Sequence, residues 1–191
     1  MGGWEWGHSI DISYDHYGFC MAGIITDMII AAISITCGIG AFRKKRLQQE
    51  SLKQGAVKLY CSFIVFACVA AVTFFTGGVA HLMIRIGAIS KEPLGKKWGD
   101  ENSHWLIPWL IAVCSMPVAA FANLAVMLAA YDLSWCALAP AYIFGACIGL
   151  VEGVLISEEK LLTNYSGAPS ALMFLLTSTA CIVLACIKAI R

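Results

Sequence analysis

A chain of 191 residues of which 60% are hydrophobic and only 13% charged, with a mean hydropathy of +0.78, lies outside the composition of a soluble globular domain, where roughly a quarter of residues are charged. Its formal net charge of +1 excludes nucleic-acid recognition by phosphate neutralisation, which needs a concentrated basic face. What remains is an integral membrane protein.

Residues 1–17, MGGWEWGHSIDISYDHY, have neither a basic n-region nor an apolar h-region and do not read as a cleavable signal peptide. The opening Met-Gly lacks the Ser or Thr that a myristoylation signal wants at position 6, where Trp6 stands. Trp4, Trp6, Tyr14 and Tyr17 suit an aromatic belt at the membrane–water interface.

The first apolar span covers 18–42 and ends on Arg43-Lys44-Lys45-Arg46, the densest positive cluster in the chain. The positive-inside rule assigns that cluster to the cytoplasm and the N-terminus to the outside. The second span, 57–86, returns the chain to an outer loop containing Lys91, Lys96, Lys97, Asp100 and Glu101. The third, 104–130, is expected to kink or unwind where Pro108 and Pro117 remove backbone donors. A tight turn at Tyr131-Asp132-Leu133-Ser134 offers Asp132 or Ser134 as a cap for the fourth span, 135–157. The fifth, 170–190, leads to a cytoplasmic tail with Lys188 and Arg191. With no repeat and no linker, residues 1–191 read as one domain. The fold class is all-α, a polytopic membrane bundle of five transmembrane helices with the N-terminus outside and the C-terminus cytoplasmic. Asn164-Tyr165-Ser166 is an N-glycosylation acceptor sequence, and this topology puts Asn164 in the outer loop between spans four and five.

The nine cysteines all fall within or at the ends of apolar stretches. They read as small hydrophobes packed in helices rather than as a disulfide framework. Without Cys-x-x-Cys or paired Cys/His spacing, no structural zinc site is expected.

Each span carries a stripe of small and polar residues. In the first, Gly23, Asp27, Ala31, Ser34 and Gly38 recur at steps of three or four, and in the second Thr73, Gly77, His81 and Arg85 recur at steps of four, so each set shares one helix face. The third span adds Ser115, Ala119 and Asn123, and the fifth Ser170, Thr177, Ser178 and Cys181. In the fourth, Gly145, Gly149 and Gly153 form two overlapping Gly-x-x-x-Gly units with Glu152 at their edge, a pattern that lets another helix approach closely. Asp27, His81 and Glu152 all fall in the outer half of the bilayer. If their faces converge they make an outward-facing polar pocket, with Arg85 and His104 near its mouth and Asn123 and Thr177 as further ligand-binding candidates. Intramembrane ionisable residues are costly enough to be site candidates by default. A polar pair between helices can equally do no more than fix their register.

Ile25-Thr26-Asp27 and Gly77-Gly78-Val79-Ala80-His81 resemble the Thr-Asp and Gly-Gly-x-x-His of a group of small uncharacterised multi-helix membrane proteins. More distantly they are similar to the superfamily of ceramidases and adiponectin-receptor-like proteins. That resemblance covers the first ~80 residues and implies a membrane hydrolase holding zinc with histidines, an aspartate and a serine. The chain departs from the pattern in lacking a late His-x-x-x-His pair and in having five spans in place of seven. Its histidines are His8, His16, His81 and His104, none at i, i+4 spacing, so an intact three-histidine zinc site is not expected, and Asp27 and His81 are the matching positions.

Three functions fit these residues. The first is a non-enzymatic binding, assembly or receptor-like module. The second is a lipid hydrolase in which His81 and Asp27, with or without a metal, activate water. The third is a small proton-coupled carrier using Asp27, Glu152 and His81. The expected partners are the lipid bilayer, a membrane-protein partner or a second copy, and a lipid or small-molecule ligand. The sequence assigns no cofactor, and plasma membrane and endomembrane are not distinguished.

Overall fold

The computed structural model describes residues 14–48, 53–90, 100–157 and 167–190. It is all-helical: α1 (Tyr14–Leu47), α2 (Gln54–Ser90), α3 (Leu106–Ala130), α4 (Trp135–Ser157) and α5 (Gly167–Ile190). Of these, α1 to α4 are long and apolar enough to cross a membrane, and the described apolar stretch of α5, Leu172–Ile187, is shorter. Helices suit such sequences because each satisfies its own backbone hydrogen bonds, which hydrocarbon cannot do.

Successive helices run in opposite senses. Gly23 faces His81, Gly38 faces Ala67 and Lys45 Nζ reaches Cys61 Sγ at 3.1 Å, which fixes α1 antiparallel to α2. The α2–α3 register follows from Lys58 against Asp132, Thr73 against Ser115 and His81 against Trp109. α3 is the hub, packing on α2, α4 and α5, while α1 is held by α2. α5 runs in the sense of α3: Phe174 meets Phe74 edge-on at 6.4 Å between ring centroids, and further along the Tyr131 hydroxyl donates to the Leu184 carbonyl.

The interior is made of small residues and the surface of large ones. Ala67, Ala70, Ala80, Ala119, Ala122 and Ala125 are buried, whereas Ile29, Ile33, Ile143, Phe144, Leu150 and Ile182 are more than half exposed. In water such a surface would aggregate. Against lipid tails it costs nothing, and small residues are what let helix backbones approach one another there. The cysteines follow the surface and not the core: five of the eight described, Cys37, Cys68, Cys136, Cys147 and Cys186, are exposed, all eight are free thiols, and Cys181 alone among them is buried.

The expected unwinding in the third span does not occur. α3 is continuous from Leu106 to Ala130 through Pro117, and Pro108 stands in its first turn, where an N–H has no intrahelical acceptor to lose. The turn after α3 also differs from expectation. Asp132 adopts φ 60°, its N–H donates to the Ala129 carbonyl at 2.9 Å, and the Leu133 N–H donates to Leu128 at 3.4 Å. This is a Schellman stop with aspartate where glycine is usual. Its carboxylate does not cap α4 but pairs with Lys58 Nζ at 2.6 Å.

Candidate polar site at the α1–α2 seam

The least exposed residues of the described part of α1, Ala31 among them, share the face of Gly23, Asp27, Ser34 and Gly38, and that face lies on α2. On α2 the corresponding stripe turns between α1 and α3. Thr73 is buried and links its hydroxyl to that of Ser115 at 2.8 Å. Each hydroxyl also lies within reach of its own helix carbonyl, Thr73 to Val69 at 2.9 Å and Ser115 to Ile111 at 2.6 Å, so the pair is satisfied whichever hydroxyl donates across.

One and two turns along the stripe from Thr73, Gly77 and His81 complete a reciprocal arrangement with α1. His81 lies over Gly23, where an added Cβ would stand 2.9 Å from its Cδ2, and Asp27 lies over Gly77, where an added Cβ would stand 2.9 Å from Oδ2. Each side chain thus fills the space left by a glycine four residues before the other, because antiparallel helices bring 23 opposite 81 and 27 opposite 77. The result puts His81 Nε2 3.9 Å from Asp27 Oδ2, with both side chains largely buried. That distance is within ion-pair reach and longer than a direct hydrogen bond. The edge of Trp109 on α3 closes the third side, its ring centroid 5.8 Å from that of His81 and nearly perpendicular to it. Trp109 was not singled out by its sequence position; it packs with buried Trp105, Leu106 and Ile84.

Glu152 is buried, at 4% exposure, and belongs to the α3–α4 seam. The Cβ position of its neighbour Gly153 is 2.9 Å from Cys114 Sγ. At about 100° per residue, the α3 residues that meet α2 (Trp109, Ala112, Ser115) and those that meet α4 (Cys114, Pro117, Phe121) lie on opposite sides of the helix, so the α3 backbone stands between the two seams. Among the described residues no group of three His, Cys, Asp or Glu side chains is placed to hold a metal ion.

The remaining candidates are spread along the bundle. Arg85 is half-buried one turn beyond His81, and His104 is exposed just before α3. Asn123 lies fourteen residues from Trp109 along α3, or about 21 Å at 1.5 Å per residue. Thr177 is buried in α5 and donates to its own helix at Met173 or Phe174, 2.9 and 3.1 Å away. Asn164 and His8 lie outside the described residues, as do Lys91, Lys96 and Lys97.

Lys58 is a site residue the stripe pattern does not reveal. It is buried at 8% exposure near the start of α2, and its ammonium meets the Asp132 carboxylate and the carbonyls of Asp132 and Leu133, at 3.2 and 2.9 Å. The signal lay in its spacing: it falls fifteen residues before Thr73, close to the same helix face, but a lysine near a span end is ordinarily read as reaching for water. Comparisons with protein-family models, with curated proteins and with solved structures match nothing to this chain, and the site is therefore read from its own residues.

Proposed function

We propose that the chain is a multi-pass integral membrane protein of the binding and assembly kind, a single bundle that crosses five times with its N-terminus outside and C-terminus cytoplasmic. The observation that carries this reading is the reciprocal seating of Asp27 and His81 on Gly77 and Gly23. Both ionisable groups are committed to joining two helices, as the Thr73–Ser115 and Lys58–Asp132 contacts join α2 to α3. In this orientation the pair occupies the outer half of the bilayer, and a small ligand or partner segment would meet it at the α1–α2 seam.

The same carboxylate–imidazole contact supports a second reading, in which the pair activates water in a lipid hydrolase or relays protons in a carrier. Purified protein separates these. The assembly reading expects zinc content and proton flux in reconstituted vesicles to be unaffected by His81→Ala and Asp27→Asn, while both variants melt at lower temperature. Stoichiometric zinc lost on His81→Ala would establish the hydrolase, and flux abolished by Asp27→Asn the carrier.

The proposed topology makes its own prediction. A tag at residue 1 is labelled on intact cells or protected inside vesicles, the 43–56 loop shows the reverse, and Asn164→Gln increases gel mobility if the outer loop is glycosylated. A 43–56 loop accessible from outside overturns the orientation.

A further inference from the structure

Between α1 and α2, toward the basic end, runs a groove of about 620 Å³. Its walls are Ile35, Ile39 and Phe42 from α1 and Ile64 and Val72 from α2, and at one end stand Arg43 and Arg46. Gly38 and Ala67 meet at its floor. Residues 35, 39, 42, 43 and 46 share one face of α1 by the three-and-four rule, so both guanidiniums close the same trough that the isoleucines line. It opens on the outer surface: Ile35, Ile39 and Val72 are each about half exposed, and on α2 Ile64 and Cys68 lie across the helix from Thr73, which faces α3.

We propose that this groove is a binding site for an anionic glycerophospholipid, with one acyl chain in the trough and the phosphate on Arg43 and Arg46. Length, lining and charge each point to that occupant. From Ile35 to Arg46 is eleven residues, about 17 Å at the helical rise, close to the ~15 Å of one hydrocarbon leaflet. The volume is that of a ligand pocket, and its lining holds no carboxylate among the described residues. Two arginines at the end of an apolar slot supply the planar donors that phosphate oxygens accept from. Lys45, in the same basic cluster, is turned instead to Cys61, so the cluster is divided between a helix contact and the mouth of the groove. The proposal rests on the helices crossing the bilayer, and not on which end is cytoplasmic or on the Asp27–His81 reading.

The test uses full-length protein in a neutral detergent, titrated with phosphatidylserine or with phosphatidylcholine of the same chains, and read by native mass spectrometry. Phosphatidylserine is expected to be retained about tenfold more tightly, the order of preference that two cationic side chains give an anionic headgroup. The double variant Arg43→Gln/Arg46→Gln should lose that preference while keeping the weaker phosphatidylcholine binding. Lys44→Gln/Lys53→Gln, which removes equal charge outside the groove, should keep it. Equal retention of the two lipids by the wild type, or an equal loss in the two double variants, overturns the proposal. In the wild type alone, phosphatidylserine and not phosphatidylcholine should protect Cys68, which lines the groove, from maleimide. A protein that forms a dimer cross-linked through Cys68 whatever the lipid would show that a second copy occupies the groove, and would overturn it too.

Discussion

Replacing Gly149 by leucine is expected to abolish stable folding in detergent. An added Cβ at Gly149 would run into the backbone carbonyl of Cys114, and at Gly145 it would stand 3.0 Å from the Pro117 carbonyl and from Val118 Cα. Those neighbours are main-chain atoms of the hub helix and cannot rotate away as a side-chain tip can. Even Gly149→Ala must push α4 off α3, and overpacking of this kind typically costs about 1–3 kcal/mol in soluble cores. Leucine adds several more atoms and forfeits the dispersion contacts along the whole seam. Gly40 is the control, since nothing lies within 4 Å of its Cβ position. Gly40→Ala should leave thermal stability unchanged or raise it by up to about 1 kcal/mol through helix propensity. Equal melting temperatures for Gly149→Leu and wild type would mean that the glycine face of α4 looks at lipid.

The second large effect is expected at Lys58. Its ammonium serves two main-chain carbonyls of the turn that follows α3, those of Asp132 and Leu133, as well as a carboxylate, and a cation beside that turn also meets the negative end of the helix dipole. Lys58→Ala removes all of these from a buried position, with an expected loss of about 2–3 kcal/mol, the range for a buried group deprived of charged hydrogen bonds. The partner side matters less. The Asp132 side chain is 73% exposed, so its ion pair is discounted by solvent to about 1 kcal/mol or less. Asp132 also holds φ 60°, a conformation glycine adopts freely, so Asp132→Gly should be more stable than Asp132→Ala by about 1 kcal/mol. Thermal melts of the three variants check the ordering, and a Lys58→Ala protein as stable as Asp132→Gly would remove Lys58 from the site.

The fold was legible because membrane helices are specified by composition and period. The structured ranges differ from the hydropathic spans mainly by added residues at the ends of α1 and α2. The stripe Gly23, Asp27, Ala31 and the stripe Thr73, Gly77, His81 could be paired because each is a single face, and an antiparallel hairpin allows few registers. Glu152 was harder to assign. Its position along the helix was readable, but that leaves open the angle around the bundle, and the neighbouring Gly153 packs on Cys114 of α3. Lys58 was missed because its partners are main-chain carbonyls, whose positions depend on where the 131–134 turn swings. Pro108 misled because it occupies a first turn, whereas Pro117 stands in the interior and α3 runs on through it.

A double-mutant cycle shows whether Asp27 and His81 act as one unit across the α1–α2 seam. Asp27→Asn, His81→Gln and the combination are compared by thermal stability in one detergent. Each single change removes one side of the 3.9 Å contact, and the second change then acts on a pair already broken. The double variant is expected to lose less than the sum of the singles, with a coupling of at least about 0.5 kcal/mol, the lower limit for residues in contact. Additive losses would contradict it, leaving two polar residues that are neighbours only by distance.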